Sequence, residues 1–414
     1  MATDTEVLVI GGGTTGLGIV RDLALRGLDT VLVERGSLGQ GATGHTHGLL
    51  HSGARYADGD PSSARECNAE NRILREIAPQ FVEPTGGLFV SRPEDPDDYR
   101  ERKLNACRAC GIDAEPLPAA EAREIEPLLA DDVTGAIRVP DATIDPVGLS
   151  LATALDAEDH GARIETNTSV TGLRVADGAV IGAQLERNGR NERNGRNERI
   201  DAAHVVNAAG AWAGRIAQLA GSTLDLRLSR GAMAVLDCPD LGTVVNRCRP
   251  RGEADIIVPR RETAILGTTD VTVEDPDAYP REDWELGLLR SGLSALVPAV
   301  RDAALIEPYW GVRSLYDPGE DDRATSSTDV TRDYAVVDHS LRDGVDGVTS
   351  VVGGKLTTHR LMAEATADRI CDALGTSRRC RTAANSLPSE RTHERFQETM
   401  PRFERDSPFR TTAR

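Results

Sequence analysis

Lysine is nearly missing from this chain. Only Lys103 and Lys355 are lysines, so arginine supplies 46 of the 48 basic residues. Against 66 acids this leaves a net charge of −18, which argues against nucleic acid as a partner. An acid-rich, lysine-poor composition suits a high-salt cytoplasm, where carboxylates keep a surface hydrated; a GC-rich genome gives the same arginine bias. Where arginine has replaced nearly every lysine, a lysine that remains marks a place for a compact point charge that a planar guanidinium does not imitate. Aromatic residues are 3% of the chain, so the core falls to Val, Leu, Ile and Ala. No run approaches the ~18 apolar residues of a membrane span, and no charged-then-apolar leader precedes Glu6. The expectation is a soluble cytoplasmic chain, peripheral to a membrane at most. The seven cysteines are odd in number and scattered, as in a reducing compartment. Cys107-Arg-Ala-Cys110 has no thioredoxin-type surroundings, and no second C-x-x-C exists to complete a zinc ribbon or an iron–sulfur site.

What is present is concentrated at the start. Val7-Leu8-Val9-Ile10 is an apolar run of strand length, followed at once by Gly11-Gly12-Gly13-Thr14-Thr15-Gly16. Leu17, Val20 and Ala24 recur at helical spacing up to Gly27, and Thr30-Val31-Leu32-Val33 is a second strand closed by Glu34. Strand, glycine turn, helix and strand make a dinucleotide-binding unit. Gly11 permits the sharp turn, Gly13 lets backbone N–H groups approach a pyrophosphate, and Gly16 lets the helix pack on the strand. The pyrophosphate sits on the positive end of the helix. Glu34 lies 18 residues past Gly16, close to the ~20-residue spacing of a ribose-binding carboxylate. This fingerprint does not separate FAD from NAD.

At about 100–200 residues per domain, 414 residues make two. Residues 36–44 form a Gly/Ser/Thr loop able to lie along the cofactor. His45, His47 and His51 follow among small residues; with no acid or cysteine interleaved, a metal site is not expected there. Helices are expected at 61–78, 95–111, 119–129, 146–160 and 282–296, and a bend at 137–145. Antiparallel strands are expected at 163–175 and 179–186, a return to the parallel sheet at 203–206, and a separate antiparallel sheet from 232–236, 255–258 and 263–266. The tandem hexapeptide Asn188-Gly-Arg-Asn-Glu-Arg193 and Asn194-Gly-Arg-Asn-Glu-Arg199 has no apolar residue and reads as an exposed loop. A last strand at 345–352 runs into Gly353-Gly354-Lys355 and a helix, and from Thr376 a poorly ordered tail is expected.

The run His47-Gly-Leu-Leu-His-Ser-Gly-Ala-Arg-Tyr56 resembles the FAD-dependent glycerol-3-phosphate dehydrogenases, most of all the catalytic A subunit of the anaerobic three-subunit type. The likeness continues through Asn207-Ala-Ala-Gly210, Val245-Asn-Arg-Cys-Arg249, Asp255-Ile-Ile-Val-Pro259, Gly267-Thr-Thr269, Gly311-Val-Arg313 and Gly353-Gly-Lys-Leu-Thr357, so it spans Val7 to about Leu387. It implies a mixed α/β (α+β) chain of the D-amino-acid-oxidase-like fold. There a Rossmann-like FAD domain of discontinuous segments (1–80, 145–225 and 325–375) carries an antiparallel-sheet substrate domain (81–144 and 226–324), with 376–414 as the tail. It also implies oxidation of sn-glycerol 3-phosphate to dihydroxyacetone phosphate, with electrons passed to a membrane quinone through partner subunits. The cysteine-rich C-terminal domain usual in that family is not expected in this chain, and the hexapeptide repeat has no counterpart in the family's pattern, so a truncated or shortened form is expected, which leaves the electron exit unassigned.

The expected FAD contacts are Gly11, Gly13, Thr15 and Gly16 in the first turn, then Glu34 and Arg35. Thr43, Gly44, His47, Gly48, Leu49 and Val170 follow. Ala209, Gly210 and Trp212 come from the second glycine loop, and Gly354, Lys355, Leu356 and Thr357 from the third. Hydride removal from a secondary alcohol needs a base for the hydroxyl proton and cations for a dianionic phosphate. His51 is the base candidate, a hydrogen-bonded structural histidine being the competing reading. Arg313 and Lys355 are the catalytic cations, and Arg55, Tyr56 and Thr357 complete the substrate set; Arg360 is a weaker cation candidate. Two rivals stand beside this reading: an amino-acid or hydroxy-acid oxidase of the same fold, and an FAD-binding chain that has lost catalysis.

Overall fold

The computed structural model describes residues 3–96, 98–187, 196–316, 333–389 and 402. β1 (Thr3–Ile10), α1 (Thr14–Leu25) and β2 (Thr30–Val33) follow one another as the opening glycine pattern requires. Leu17, Ile19, Val20 and Leu23 of α1 are fully buried, each worth about 1.5–3 kcal/mol relative to exposure. They pack α1 against the helices Pro146–Asp159 and His359–Ala373.

β1 lies in an eight-stranded sheet between β2 and the strand Arg196–Asn207, parallel to both. Register decides what this sheet can do. Ile10 is level with Val33 on one side and with Asn207 on the other. Asn207 is in turn level with Ser350 of the parallel strand Val348–Gly353. The Gly11 turn, Glu34, the Asn207–Trp212 loop and the Gly353-Gly354 turn therefore leave the sheet at one edge, outside the carboxyl ends of its parallel strands, where ligands bind in open α/β sheets.

A nine-stranded sheet supplies the opposing wall. Its long pair is Leu226–Asp237 against Leu305–Tyr316, which sets Ser229 opposite Arg313. It is antiparallel except where Val244–Arg247 runs parallel to Gly87–Ser91. The 137–145 stretch, expected as a bend, is two strands, Gly135–Val139 and Ala142–Ile144, on either side of Pro140-Asp141. Both pair with partners distant in sequence, which no local pattern announces. The strand expected at 163–175 is also divided. Asn167 takes a left-handed backbone (φ 54°), which asparagine tolerates. Arg163–Glu165 before it joins β2 in parallel, and only Thr168–Ala176 makes the antiparallel hairpin.

Residues 188–195 of the hexapeptide repeat lie outside the described residues. The last four, 196–199, are not loop but the first rungs of ladder in the strand Arg196–Asn207, paired to Ala179–Arg187. The tail expectation is corrected over 376–389. Arg381 donates to the Leu25 carbonyl, Arg378 Nη1 to those of Gly27 at 2.5 Å and Arg26 at 3.2 Å, and Leu387 is buried. Arginines that read as disorder in composition meet the carbonyl end of α1, where cations are favoured.

Candidate active site

One cavity of about 550 Å³ runs between the sheet edge and the second sheet. Its first wall is the glycine turn. Gly11 adopts φ 116°, and an added Cβ would stand 2.5 Å from the Ala208 carbonyl oxygen. Gly16 has a different job. A Cβ there would fall 1.9 Å from the Gly11 carbonyl oxygen, so Gly16 seats α1 on β1 and does not itself line the cavity. α1 begins at Gly13 with no side-chain cap and no acid in its first turn, so its positive end is left to the cavity. Thr15 lines the same wall, and Thr43 Oγ1 accepts from the Thr14 N–H at 3.0 Å. Glu34 is aimed by two backbone donors, Gly12 N–H at 2.7 Å and Gly36 N–H at 2.9 Å. Arg35 stacks 4.2 Å from the Trp212 ring, and both hydrogen-bond Asp277. Val170, Ala209 and Gly210 line the cavity beside them.

The chemistry-bearing side chains form a continuous row. Arg313 Nη2 donates to the Thr269 carbonyl at 2.7 Å and stands 3.9 Å from Asp270. Space for it comes from Gly231, where a Cβ would meet Arg313 at 2.8 Å and Thr268 at 2.4 Å. A Cβ on Gly267 would then meet the His47 ring at 3.6 Å. His47 Nδ1 accepts from the Leu49 N–H at 3.2 Å, which places the proton of the neutral ring on Nε2. The His47 and His51 rings are 6.0 Å apart, and His51 meets Tyr56 edge-on at 5.4 Å. Lys355 Nζ stands 4.8 Å from the centre of the Tyr56 ring. Leu49, Gly354 and Leu356 complete this part of the wall.

Other expected residues are placed elsewhere. Thr357 is fully buried, and its hydroxyl accepts the His51 N–H at 3.0 Å; it reaches the site through His51. Gly44, in the 3-10 turn Ala42–His45, and the loop residue Gly48 lie outside the cavity wall, bonded to Gly39 and Ile144 through their backbones. Arg55 also lies off the wall, donating to the Gly252 carbonyl at 3.4 Å and 3.7 Å from Asp255. Arg360 is corrected outright: it is buried and holds both oxygens of Glu70 at 2.6–2.8 Å, with Glu364 at 2.7 Å. It is a structural cation. Ser169, Gln40, Arg215, Met233 and Thr268 line the cavity without having been expected. The usable signal for part of this wall was Gly231 and Gly311, glycines inside apolar strands, which mark close approach.

Cys67 and Cys107 are buried, and burial pushes both thiols up to about 12, the opposite of a reactive thiolate. Among the described residues no group of three or more His, Cys, Asp or Glu could hold a metal ion. No described helix is long and apolar enough to cross a membrane.

The cavity fits FAD on its own terms: a glycine cradle that a Cβ would fill, an open helix end for pyrophosphate, an oriented carboxylate, and a far wall of cations and histidines. The model of the FAD dependent oxidoreductase family matches residues 6–369. The A1 subunit of the Haloferax volcanii anaerobic glycerol-3-phosphate dehydrogenase is 52% identical over 99% of this chain and 70% of its own. The corresponding A subunit from Escherichia coli K12 is 42% identical over 93% of this chain and 70% of its own. The crystal structure of the Bacillus halodurans glycerol-3-phosphate dehydrogenase complexed with FAD superposes with a TM-score of 0.71 at 25% identity, covering 93% of this chain and 68% of that one. The chain belongs to the FAD-dependent oxidoreductase family and, within it, to the A subunits of anaerobic glycerol-3-phosphate dehydrogenase.

Proposed function

We propose that this chain oxidises sn-glycerol 3-phosphate to dihydroxyacetone phosphate and passes the electrons to a quinone through partner subunits that hold it at the cell membrane. The observation that carries the reading is the row Arg313–His47–His51–Tyr56–Lys355 on one cavity wall, in a chain 52% identical to a protein of that name. A carboxylate substrate needs one arginine; a phosphate dianion draws a planar fork and a point charge together. In this reading Arg313 and Lys355 hold phosphate and alcohol oxygens. Arg55 joins them by leaving Asp255. His51 takes the hydroxyl proton, its main chain fixed by Thr357 and its ring by Tyr56. Tyr56, Leu49 and Met233 keep water from the reacting carbon. FAD, when bound, supplies the acceptor for the hydride that leaves that carbon.

The test is anaerobic mixing of FAD-loaded protein with glycerol 3-phosphate in high salt while the oxidised-flavin absorbance is followed. Rapid bleaching is expected, and a quinone analogue should restore the colour only slowly without partner subunits. Bound FAD that no amount of glycerol 3-phosphate bleaches would overturn the reading, and D-amino acids would be added next.

A further inference from the structure

Lys355 lines the cavity. Its Nζ lies 2.9 Å from Ser63 Oγ, in the first turn of α2 (Pro61–Ile77). An ammonium has only donors, so Ser63 Oγ accepts from it and gives its own proton to Asp333 Oδ1 in a short hydrogen bond. Ser63 is fully buried, and its backbone N–H is fixed at 3.0 Å by Asp60, the N-cap of α2. Asp333 is tied to the lysine's own turn as well. Its carbonyl accepts the Gly354 N–H at 3.2 Å, and a Cβ on Gly353 would fall 2.4 Å from that oxygen. Glu66, one turn further along α2, senses the same charges: burial and Asp333 raise its carboxyl, and Lys355 pulls it down.

We infer that Ser63 is a positioning residue: it fixes the Lys355 ammonium over Tyr56 and relays the charge of Asp333 to it, so that a hydroxyl rather than a carboxylate meets the cation at this contact. The geometry explains why a hydroxyl stands between the pair. A carboxylate in direct contact with Lys355 at the cavity would repel a phosphate dianion, whereas a neutral bridging hydroxyl orients the ammonium and sets the negative charge one group further back. It also explains why lysine survives here in an arginine-rich chain. A compact ammonium reaches the Tyr56 ring and the single Ser63 hydroxyl together, a pairing that offers a planar fork no second acceptor. The kinetic consequence rests on the proposed substrate; the placement of Lys355 does not.

The scarcity of lysine supplies the test. Lys103, the only other lysine, is buried, with its Nζ on Asp58 and the Arg55 carbonyl, so its reactivity reports general loosening. FAD-loaded wild type, Ser63→Ala and Ser63→Thr are treated with an amine-modifying reagent without substrate, and each lysine is followed by peptide mass spectrometry. In Ser63→Ala, Lys355 should be modified about tenfold faster, the equivalent of one charge-assisted hydrogen bond, with Lys103 unchanged. Ser63→Thr should restore the wild-type rate. The half-saturating glycerol 3-phosphate concentration should rise about tenfold in Ser63→Ala, and Ser63→Ala should add nothing further in a Lys355→Met background. Equal gains at both lysines, or none at Lys355, overturn the inference, as does a selective gain with unchanged half-saturation in protein that turns over. If wild type is not reduced by glycerol 3-phosphate, the substrate reading falls and the lysine reactivities alone decide the role of Ser63.

Discussion

A guanidinium sealed from water must find carboxylates, and Arg360 finds two. Burial works against its charge, and the hydrogen bonds and charge of Glu70, then those of Glu364, more than offset this and raise its pKa. The Glu70 pair is a bidentate fork between residues 290 positions apart, joining α2 to the helix His359–Ala373. Removing one partner strands the other. Arg360→Met should therefore lower unfolding stability by about 3–5 kcal/mol, while Arg360→Met with Glu70→Leu should recover most of it. Flavin reduction in the surviving folded protein should keep its half-saturation. Urea midpoints of the single and double variants check this, and a single variant as stable as wild type would show that the pair holds nothing. The same reasoning separates Arg360 from Arg313. Both are arginines a few residues after a glycine in the sequence, but Arg313 leans on main-chain carbonyls and a more distant Asp270, and it lines the cavity.

At the scale of elements, α1 is held at both ends by different chemistry. Its N-terminus is kept free of cap and acid, and its C-terminal carbonyls receive Arg378 and Arg381 from the 376–389 segment. Cations at a helix C-terminus contribute about 0.3–1 kcal/mol each, more when partly buried. Arg378→Ala with Arg381→Ala should thus cost about 1–3 kcal/mol in thermal unfolding, and a melting temperature equal to wild type would return the segment to the status of a loose tail.

This segment also marks where sequence reading stops. The unit β1–α1–β2 was legible because every cue in it is local: an apolar run, a glycine turn, helical spacing and an acid at the right distance. Within the row Arg313, His51, Tyr56 and Lys355, the scarcity of lysine marked Lys355 and imidazole chemistry marked His51, but only resemblance joined them to Arg313 and Tyr56, since the residues come from three separate stretches. The strands Gly135–Val139 and Ala142–Ile144 were illegible because their partners set them. So was the docking of 376–389, because an arginine binding a carbonyl and an arginine in solvent look alike in sequence. Thr357 shows the limit within the site. It sits in the right turn, but only the fold reveals that its hydroxyl serves His51.

For the whole molecule, a net charge of −18 means that self-repulsion, and therefore salt, bears on stability, and pH acts through the groups whose ionisation changes on folding. Two of the histidines buried in the first sheet and its helix layer, His204 and His359, have their pKa pushed down. Burial, then the charge of Arg369, pushes His204 down to about 4; its Nε2 lies 3.0 Å from Thr349 Oγ1. Burial likewise takes His359 to about 4 against the pull of the Leu356 carbonyl, with Arg360 and Arg21 adding to the fall. In the unfolded chain each protonates near ~6.5. Above that pH both states are neutral and these residues contribute nothing. Between about 6.5 and 4 the unfolded chain binds protons that the native chain refuses, so stability falls as pH falls, by about 2 kcal/mol per histidine at pH 5. Asp141, raised by burial, works in the opposite direction, so total slopes do not isolate the histidines, but differences do. His204→Gln and His359→Gln should each flatten the decline in unfolding free energy between pH 7 and pH 5 by about 2 kcal/mol, measured in constant high salt so that repulsion is held fixed. Slopes parallel to wild type would mean that these histidines already carry their protons in the folded state. The buried layer between the first sheet and the helix His359–Ala373 would then have to hold charge without a counter-ion, which its apolar packing opposes.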